Sequence, residues 1–424
     1  MVVTIVVLLI LAGVTISLLL DENGIIKKSK EGRREYETSK TNEQEQMDNA
    51  EDWIDEAVTG KKSNVVKSFK EAKTENSTID GKKEGNANNP TIPAGYIPIN
   101  TETSNWGNGK DAPSQDSVDH GLVIKDDKDN EWVWIPVPDV TVMCDTSNTT
   151  EYTLCGTTGE TAVKTKLYSK SEIISGITRT TPGTTDPSTR EPDLLVDDNG
   201  ASYDAKEECY KTILGETGTK EQLAQLFVDE YKAMIESVSK YGGFYIGRYE
   251  LSESGVKKDQ PTLIYTNWYN LYKKCKELNA SDKVETRMIW GCQWDVTMNW
   301  LISSGSKTSD EVNKDSSSWG NYKGTSVKAD DGTTEIKASG DVQVLNTGKT
   351  TFTMANNIYD LAGNCWEWTQ EADNTDSRAL RGGDCNRDGS VIPASYRSSN
   401  YPGYDSGSFG RFSSHFNNKV TLRV

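Results

Sequence analysis

Histidine is nearly missing from this chain. His120 and His415 are the only two in 424 residues, and they stand far apart. That argues against a histidine-based metal site and against a triad built around imidazole. None of the seven cysteines (Cys144, Cys155, Cys209, Cys275, Cys292, Cys365 and Cys385) forms a Cys-x-x-Cys, which excludes zinc ribbons and thioredoxin-like redox motifs. There is no phosphate-binding G-x-x-x-x-G-K-[ST], no Rossmann dinucleotide fingerprint, no G-x-S-x-G elbow and no H-E-x-x-H. Basic stripes are also lacking outside one short run near the N-terminus. With a formal net charge of −17, nucleic acid is not expected as the main partner. Phenylalanine is scarce, with 7 against 18 Tyr and 11 Trp. Such an aromatic set, apolar in body and polar at the tip, suits half-wet surfaces. The last absence is local. From Ala372 to Asn418 there is no Lys, Glu, Gln, Met or Trp, although Lys and Glu abound elsewhere.

Length alone suggests two or three domains at roughly 150 residues each. The first is signalled by MVVTIVVLLILAGVTISLLL, the uncharged stretch Met1–Leu20. About 20 apolar residues suffice to span a bilayer as a helix. A charged, helix-favouring continuation follows, with a sparse apolar stripe at Ile25, Ile26, Tyr36, Met47, Trp53, Ile54 and Ala57. Residues 60–93 are polar and poor in aromatics, and read as a linker. Residues 1–59 resemble a type IV pilin, in which an apolar helix sits in the membrane before assembly and in the filament core afterwards. The basic leader ending in Gly and the Glu near the helix start are not present. The cluster Lys27, Lys28, Lys30, Arg33 and Arg34 would place the C-terminal part inside the cell by the positive-inside rule. The pilin resemblance implies the opposite, and the interleaved acidic residues weaken the charge rule. The expectation is therefore a membrane-anchored or filament-incorporated chain, attached through Met1–Leu20, with its head at the cell surface.

From residue 94 the texture changes. Trp132–Val137 (WVWIPV) and Gly242–Leu251 (GGFYIGRYEL) read as strands; Val228–Gly242, Asn267–Asn279 and Gly291–Gly305 read as helices. Long polar stretches between them suggest irregular structure over a small core. No βαβ rhythm appears, so the fold class is α+β. Cys144 and Cys155 flank a short polar stretch; they close a disulfide loop outside the cell, or remain buried thiols. DDKDNE (Asp126–Glu131) is acidic, but the rest of a calcium loop is missing, and a tight turn before a strand is the simpler reading.

NNIYDLAGNCWEWTQE (Asn356–Glu371), followed by RALRGGD (Arg378–Asp384), resembles the formylglycine-generating enzyme and sulfatase-modifying-factor family. That family has N-x-x-D-x-x-G-N-V-W-E-W-T and then R-x-x-R-G-G-S. Asn357, Asp360, Gly363, Asn364, Trp366, Glu367, Trp368, Thr369, Arg381, Gly382 and Gly383 match it. FYIGRYE and WVWIPV resemble two of its strands. The resemblance covers residues 94–424 with an insertion at about 139–240, and implies the irregular C-type-lectin-like fold. Trp366 and Trp368 are expected in the core, Gly382 and Gly383 at a turn, and Asn364 and Glu367 as buried hydrogen-bond partners. The family's catalysts use a cysteine pair after the R-G-G-S motif. Here only Cys385 follows it, so no enzyme activity, no catalytic residue and no cofactor is expected. The resemblance does allow a structural calcium ion.

The variable proteins of diversity-generating retroelements resemble C-type-lectin-like domains of this kind. Those systems mutate template adenines, mostly in Asn codons. First- and second-position changes there yield Asn, Ser, Tyr, Asp, Gly, Cys, Arg, His, Val, Ile and Phe, but never Lys, Glu, Gln, Met or Trp. The region at about 384–412 obeys that restriction and follows the twin glycines. Its Tyr, Ser, Gly and Asn content is also that of antibody paratopes. Cys385, Asn386, Arg387, Val391, Ile392, Tyr396, Ser398, Ser399, Asn400, Tyr401, Tyr404 and Phe409 are expected to be exposed, diversified and ligand-binding. Pro393, Ala394, Ser395, Arg397 and Pro402 are expected to be scaffold. The ligand would be a protein or a glycan. A constant structural minor pilin and an oxidase of the formylglycine-generating type are the rival readings.

Overall fold

The computed structural model describes residues 85–99, 118, 120–143, 211–218, 220–278, 284–374, 377–400 and 402–403, with the backbone of four short strands beyond them. All belong to one compact unit, Asn64–Val424. The expected helix at Met1–Leu20, its continuation and most of the linker lie outside these residues. So do Cys144, Cys209 and the side chain of Cys155, and with them the proposed disulfide. Among the described residues, no helix is long and apolar enough to cross a membrane.

The fold is α+β, with helices set against two four-stranded sheets. In the first sheet, β1 (Ile97–Pro98), β2 (Val123–Lys125), β3 (Glu131–Pro136) and β4 (Gly243–Gly247) lie in that order, all antiparallel. β3 is the expected WVWIPV strand. Trp132 and Trp134 alternate with Val133 and Ile135, and all four are buried, so both faces are covered. The acidic run before it is the expected tight turn: Asp126 Oδ1 accepts from Lys128 N (2.9 Å) and Asn130 N (2.8 Å), and Asp129 adopts φ +65°.

Helix α1 (Lys220–Tyr241) carries Leu223, Phe227, Tyr231, Ile235 and Val238 on one stripe, three or four residues apart, and buries it. The stretch expected as an insertion thus ends in a core helix; its described remainder is small. Gly242 ends α1 at φ +75°, its N–H reaching Val238 O at 2.9 Å. Helices α2 (Trp268–Leu278) and α3 (Gly291–Ser303) follow as expected. On α2, Trp268, Leu271, Tyr272 and Cys275 are buried and Leu278 partly so. α3 is buried on most sides.

A single hydrophobic cluster joins all these elements, larger than the small core expected from the polar stretches. The nine described tryptophans are all inside it or at its edge, and none is exposed. Several of their polar tips donate to backbone carbonyls. Trp134 Nε1 donates to Ala87 O (2.9 Å), Trp268 Nε1 to Thr369 O (2.8 Å) and Trp319 Nε1 to Glu311 O (3.2 Å).

The second sheet has the order β7–β6–β5–β8, from β5 (Trp366–Asn374), β6 (Ser377–Arg381), β7 (Arg397–Asn400) and β8 (Val420–Leu422). β5, β6 and β7 are antiparallel; the last strand, β8, runs parallel to β5.

A short helix, α4 (Ser309–Asn313), starts with a reciprocal capping box. Glu311 N donates to Thr308 Oγ1 (3.2 Å) and Thr308 N donates to Glu311 Oε2 (2.9 Å). The Thr308 N–H bond is the main cause holding the Glu311 carboxyl below its ordinary 4.5. A depressed carboxylate stabilises above the unfolded-state value and loses that contribution as pH falls through the folded value. Thr308→Ala should cost about 1 kcal/mol. Alanine keeps the backbone N–H but loses the hydroxyl that donates to Glu311 Oε2 (2.8 Å), so in urea titrations only that part of the cost should shrink between about pH 6 and about pH 3.

Candidate ligand-binding face

The sequence motifs meet in space. Asn356 and Asn357 form the turn of a hairpin between Met354–Ala355 and Ile358–Tyr359, with φ +44° and +65°. Two successive positive φ values make a type I′ turn, which favours Asn. Asn357 Nδ2 then reaches Gly121 O (2.9 Å), and its carbonyl accepts from Arg248 Nε (3.1 Å). Arg248, from FYIGRYE, pairs with Glu131 at the start of β3 (2.7 Å). Asp360 Oδ2 accepts from Gly348 N (2.7 Å).

Asn364 is the hub, fully buried at φ +61°. Its Oδ1 accepts from Asn321 Nδ2 (2.8 Å) and Leu345 N (2.9 Å), and its Nδ2 donates to Glu250 Oε2 (2.6 Å). The side chain holds three loops to the last residue of FYIGRYE. Gly363 before it has φ +72°, and a Cβ there would stand 2.4 Å from Asn321 O. Leu361 to Glu371 is buried without a break; Trp366, Glu367 and Trp368 are among these residues, as expected.

Three arginines are buried in the second sheet. Arg381 is paired with Asp295 of α3, and Arg397 Nε donates to Glu371 Oε1 at 2.6 Å. Arg378 Nη1 donates to Gln370 O (2.5 Å), and its guanidinium lies 4.7 Å from the Trp268 ring centroid. Sequence reasoning marked Arg381 and Arg397 but neither carboxylate; Asp295 is hidden in an apolar helix and Glu371 in a strand.

After β6 the chain turns at Gly382 (φ +85°) and Gly383 (φ +83°). A Cβ on Gly383 would stand 2.6 Å from Ile392 O, so the returning loop approaches too closely for any side chain. Residues 384–396 are then anchored largely through main-chain atoms. Asn364 O accepts from Cys385 N (3.1 Å), Arg387 O from Lys323 N (3.0 Å), Gly389 O from Ser316 N (3.3 Å) and Val312 O from Ser395 N (3.2 Å). Ala394 N donates to Ser316 Oγ (2.9 Å). Arg387 and Val391 are exposed, Val391 at 57%. Asn386, Tyr396, Ser398, Ser399 and Asn400 are half-buried. These seven residues share one loop and the edge strand β7.

Two expectations fail here. Cys385 and Ile392, expected exposed, are fully buried. Ile392 packs under the twin-glycine turn, and Cys385 lies behind it, its N–H held by Asn364. Pro393, Ala394, Ser395 and Arg397 are buried as scaffold, and Pro402 O accepts from Trp268 N (3.0 Å). Tyr401, Tyr404 and Phe409 lie outside the described residues.

Beneath the loop sits Lys337, which sequence reasoning missed. Its ammonium donates to Tyr322 O (2.7 Å), Thr325 O (2.9 Å) and Asp341 O (3.2 Å). Burial pulls its pKa down. Cys275, Cys292, Cys365 and Cys385 are buried thiols outside any disulfide, and burial pushes Cys275 well up. Among the described residues no group of three His, Cys, Asp or Glu could hold a metal ion. No protein-family model matches the chain, and no curated protein is significantly similar to it.

Proposed function

We propose that the chain is a surface-displayed binding protein whose head resembles the C-type-lectin-like fold of the formylglycine-generating enzymes. Its C-terminal face is the target of a diversity-generating retroelement, and a pilin-like helix anchors it in a membrane or filament. The observation that carries this reading is the contrast within residues 384–400. The main chain is pinned to a buried polar framework, while Asn386, Arg387, Val391, Tyr396, Ser398, Ser399 and Asn400 keep accessible side chains. Tyr, Asn, Ser and Arg on a fixed loop give contact area and adaptable hydrogen bonds to a protein or glycan ligand. The adenine-restricted residue set of 372–418 supports diversification. The burial of Cys385 speaks against a thiol offered to substrate.

The test is deep sequencing of the 3′ part of the gene and its surrounding locus in a growing population. Substitutions should concentrate at adenine-derived codons of the seven accessible positions, and a near-copy template should lie nearby. An invariant segment without a template would leave a constant structural pilin subunit as the better reading.

A further inference from the structure

A cavity of about 370 Å³ lies away from the C-terminal face, between the first sheet, the C-terminal half of α1 and the segment 284–293. None of residues 384–400 lines it. Seven of its 23 lining residues are aromatic, Tyr96, Trp132, Trp134, Tyr245 and Trp290 among them. The size is that of a small-molecule site.

Its polar atoms are unbalanced. Trp132 Nε1, Trp290 Nε1 and Arg287 Nη1 are buried without a protein acceptor, and all three belong to lining residues. A buried donor left without an acceptor is costly, so three around one cavity are a feature to explain. Three acceptors nearby are already engaged. Gln293 Oε1 accepts from Trp290 N (3.0 Å), Thr91 O from the Tyr245 hydroxyl (3.1 Å), and Ala87 O from Trp134 Nε1. Glu285 is exposed and binds the other arm of Arg287. Helix α3, 13 residues long, begins at this wall, since Trp290 is its N-cap and Gln293 lies in its first turn. The positive end of its dipole therefore adds to the guanidinium.

We propose that this cavity is a binding site for a small aromatic carboxylate. The ring system lies among the Trp and Tyr walls. The carboxylate, which only accepts and has about four lone-pair sites, takes the Arg287 and indole N–H groups. This ligand is separate from that of the diversified face and does not depend on it.

The probes are 2-naphthoate and its neutral, size-matched counterpart 2-naphthamide, titrated into the full chain by calorimetry and intrinsic tryptophan fluorescence. Naphthoate should bind saturably at one site, roughly tenfold or more tighter than the amide. Arg287→Met should remove that preference, and Ser237→Trp, at an exposed rim position, should block both probes. Equal binding of the two probes, or an Arg287→Met variant that keeps the preference, would overturn the anion assignment. Absence of saturable binding, or binding indifferent to Ser237→Trp, would overturn the site; the donors would then be served by water.

Discussion

Arg381→Met lowers the unfolding free energy by about 3–5 kcal/mol, read as a lower urea midpoint at unchanged slope. The loss is large because native domains hold only about 5–15 kcal/mol in total. Arg381 and Asp295 are both fully buried, so removing the guanidinium strands a carboxylate inside the core next to α3. It also frees Ser395 O, which accepts from Arg381 Nη1 (3.3 Å) at the entry to β7. The double variant Arg381→Met, Asp295→Leu should recover most of the loss, because an apolar pair of similar volume replaces two desolvated charges. A single variant within about 1 kcal/mol of the parent would mean that the pair contributes no more than a surface ion pair.

Asn364→Leu should cost about 2–5 kcal/mol. Three buried partners lose a bond: Glu250 Oε2 keeps that from Thr262 Oγ1 (2.9 Å) and Asn321 Nδ2 keeps that to Gln343 O (2.9 Å), while Leu345 N is left unsatisfied, at about 1–3 kcal/mol. Leucine also pays roughly 1–2 kcal/mol for the left-handed backbone at φ +61°. Asn364→Asp separates the two contributions, since aspartate tolerates that backbone. It sets a second carboxyl where Nδ2 lies 2.6 Å from Glu250, so one of the two must keep its proton. The raised folded-state pKa costs this variant nothing at low pH, where both carboxyls are protonated, and progressively more as pH rises. Thermal melts at about pH 4 and about pH 8 should show the gap to the parent widening upward. A pH-independent gap would argue against the Asn364–Glu250 contact.

The regular elements were legible because each carries a periodic signal. Trp132–Ile135 alternate with the β-pleat, and Trp268, Leu271, Tyr272 and Cys275 recur at helical spacing. Asn357, Asp360, Gly363 and Asn364 were visible as a motif. Their reason became clear only from the backbone, where all four occupy positive φ. Cys385 and Ile392 could not be placed by such arguments. They sit in a loop without period, and their burial follows from the Ile392 carbonyl closing on Gly383. The carboxylate partners of Arg381 and Arg397 were equally hidden, lying 86 and 26 residues away in sequence. So was the aromatic cavity, whose three donors come from β3 and the approach to α3.

The main-chain anchoring of residues 384–396 has a consequence for how such a surface can evolve. Lys323, Ser316, Val312 and Asn364 grip peptide groups, which every amino acid but proline supplies alike. Exchanging Arg387 or Val391 removes none of these grips. Random replacement then samples new chemistry on an unchanged frame, and most members of such a library should remain soluble and correctly shaped. Under the proposed diversification, selection would act on fit to the partner, with little of each generation lost to misfolding.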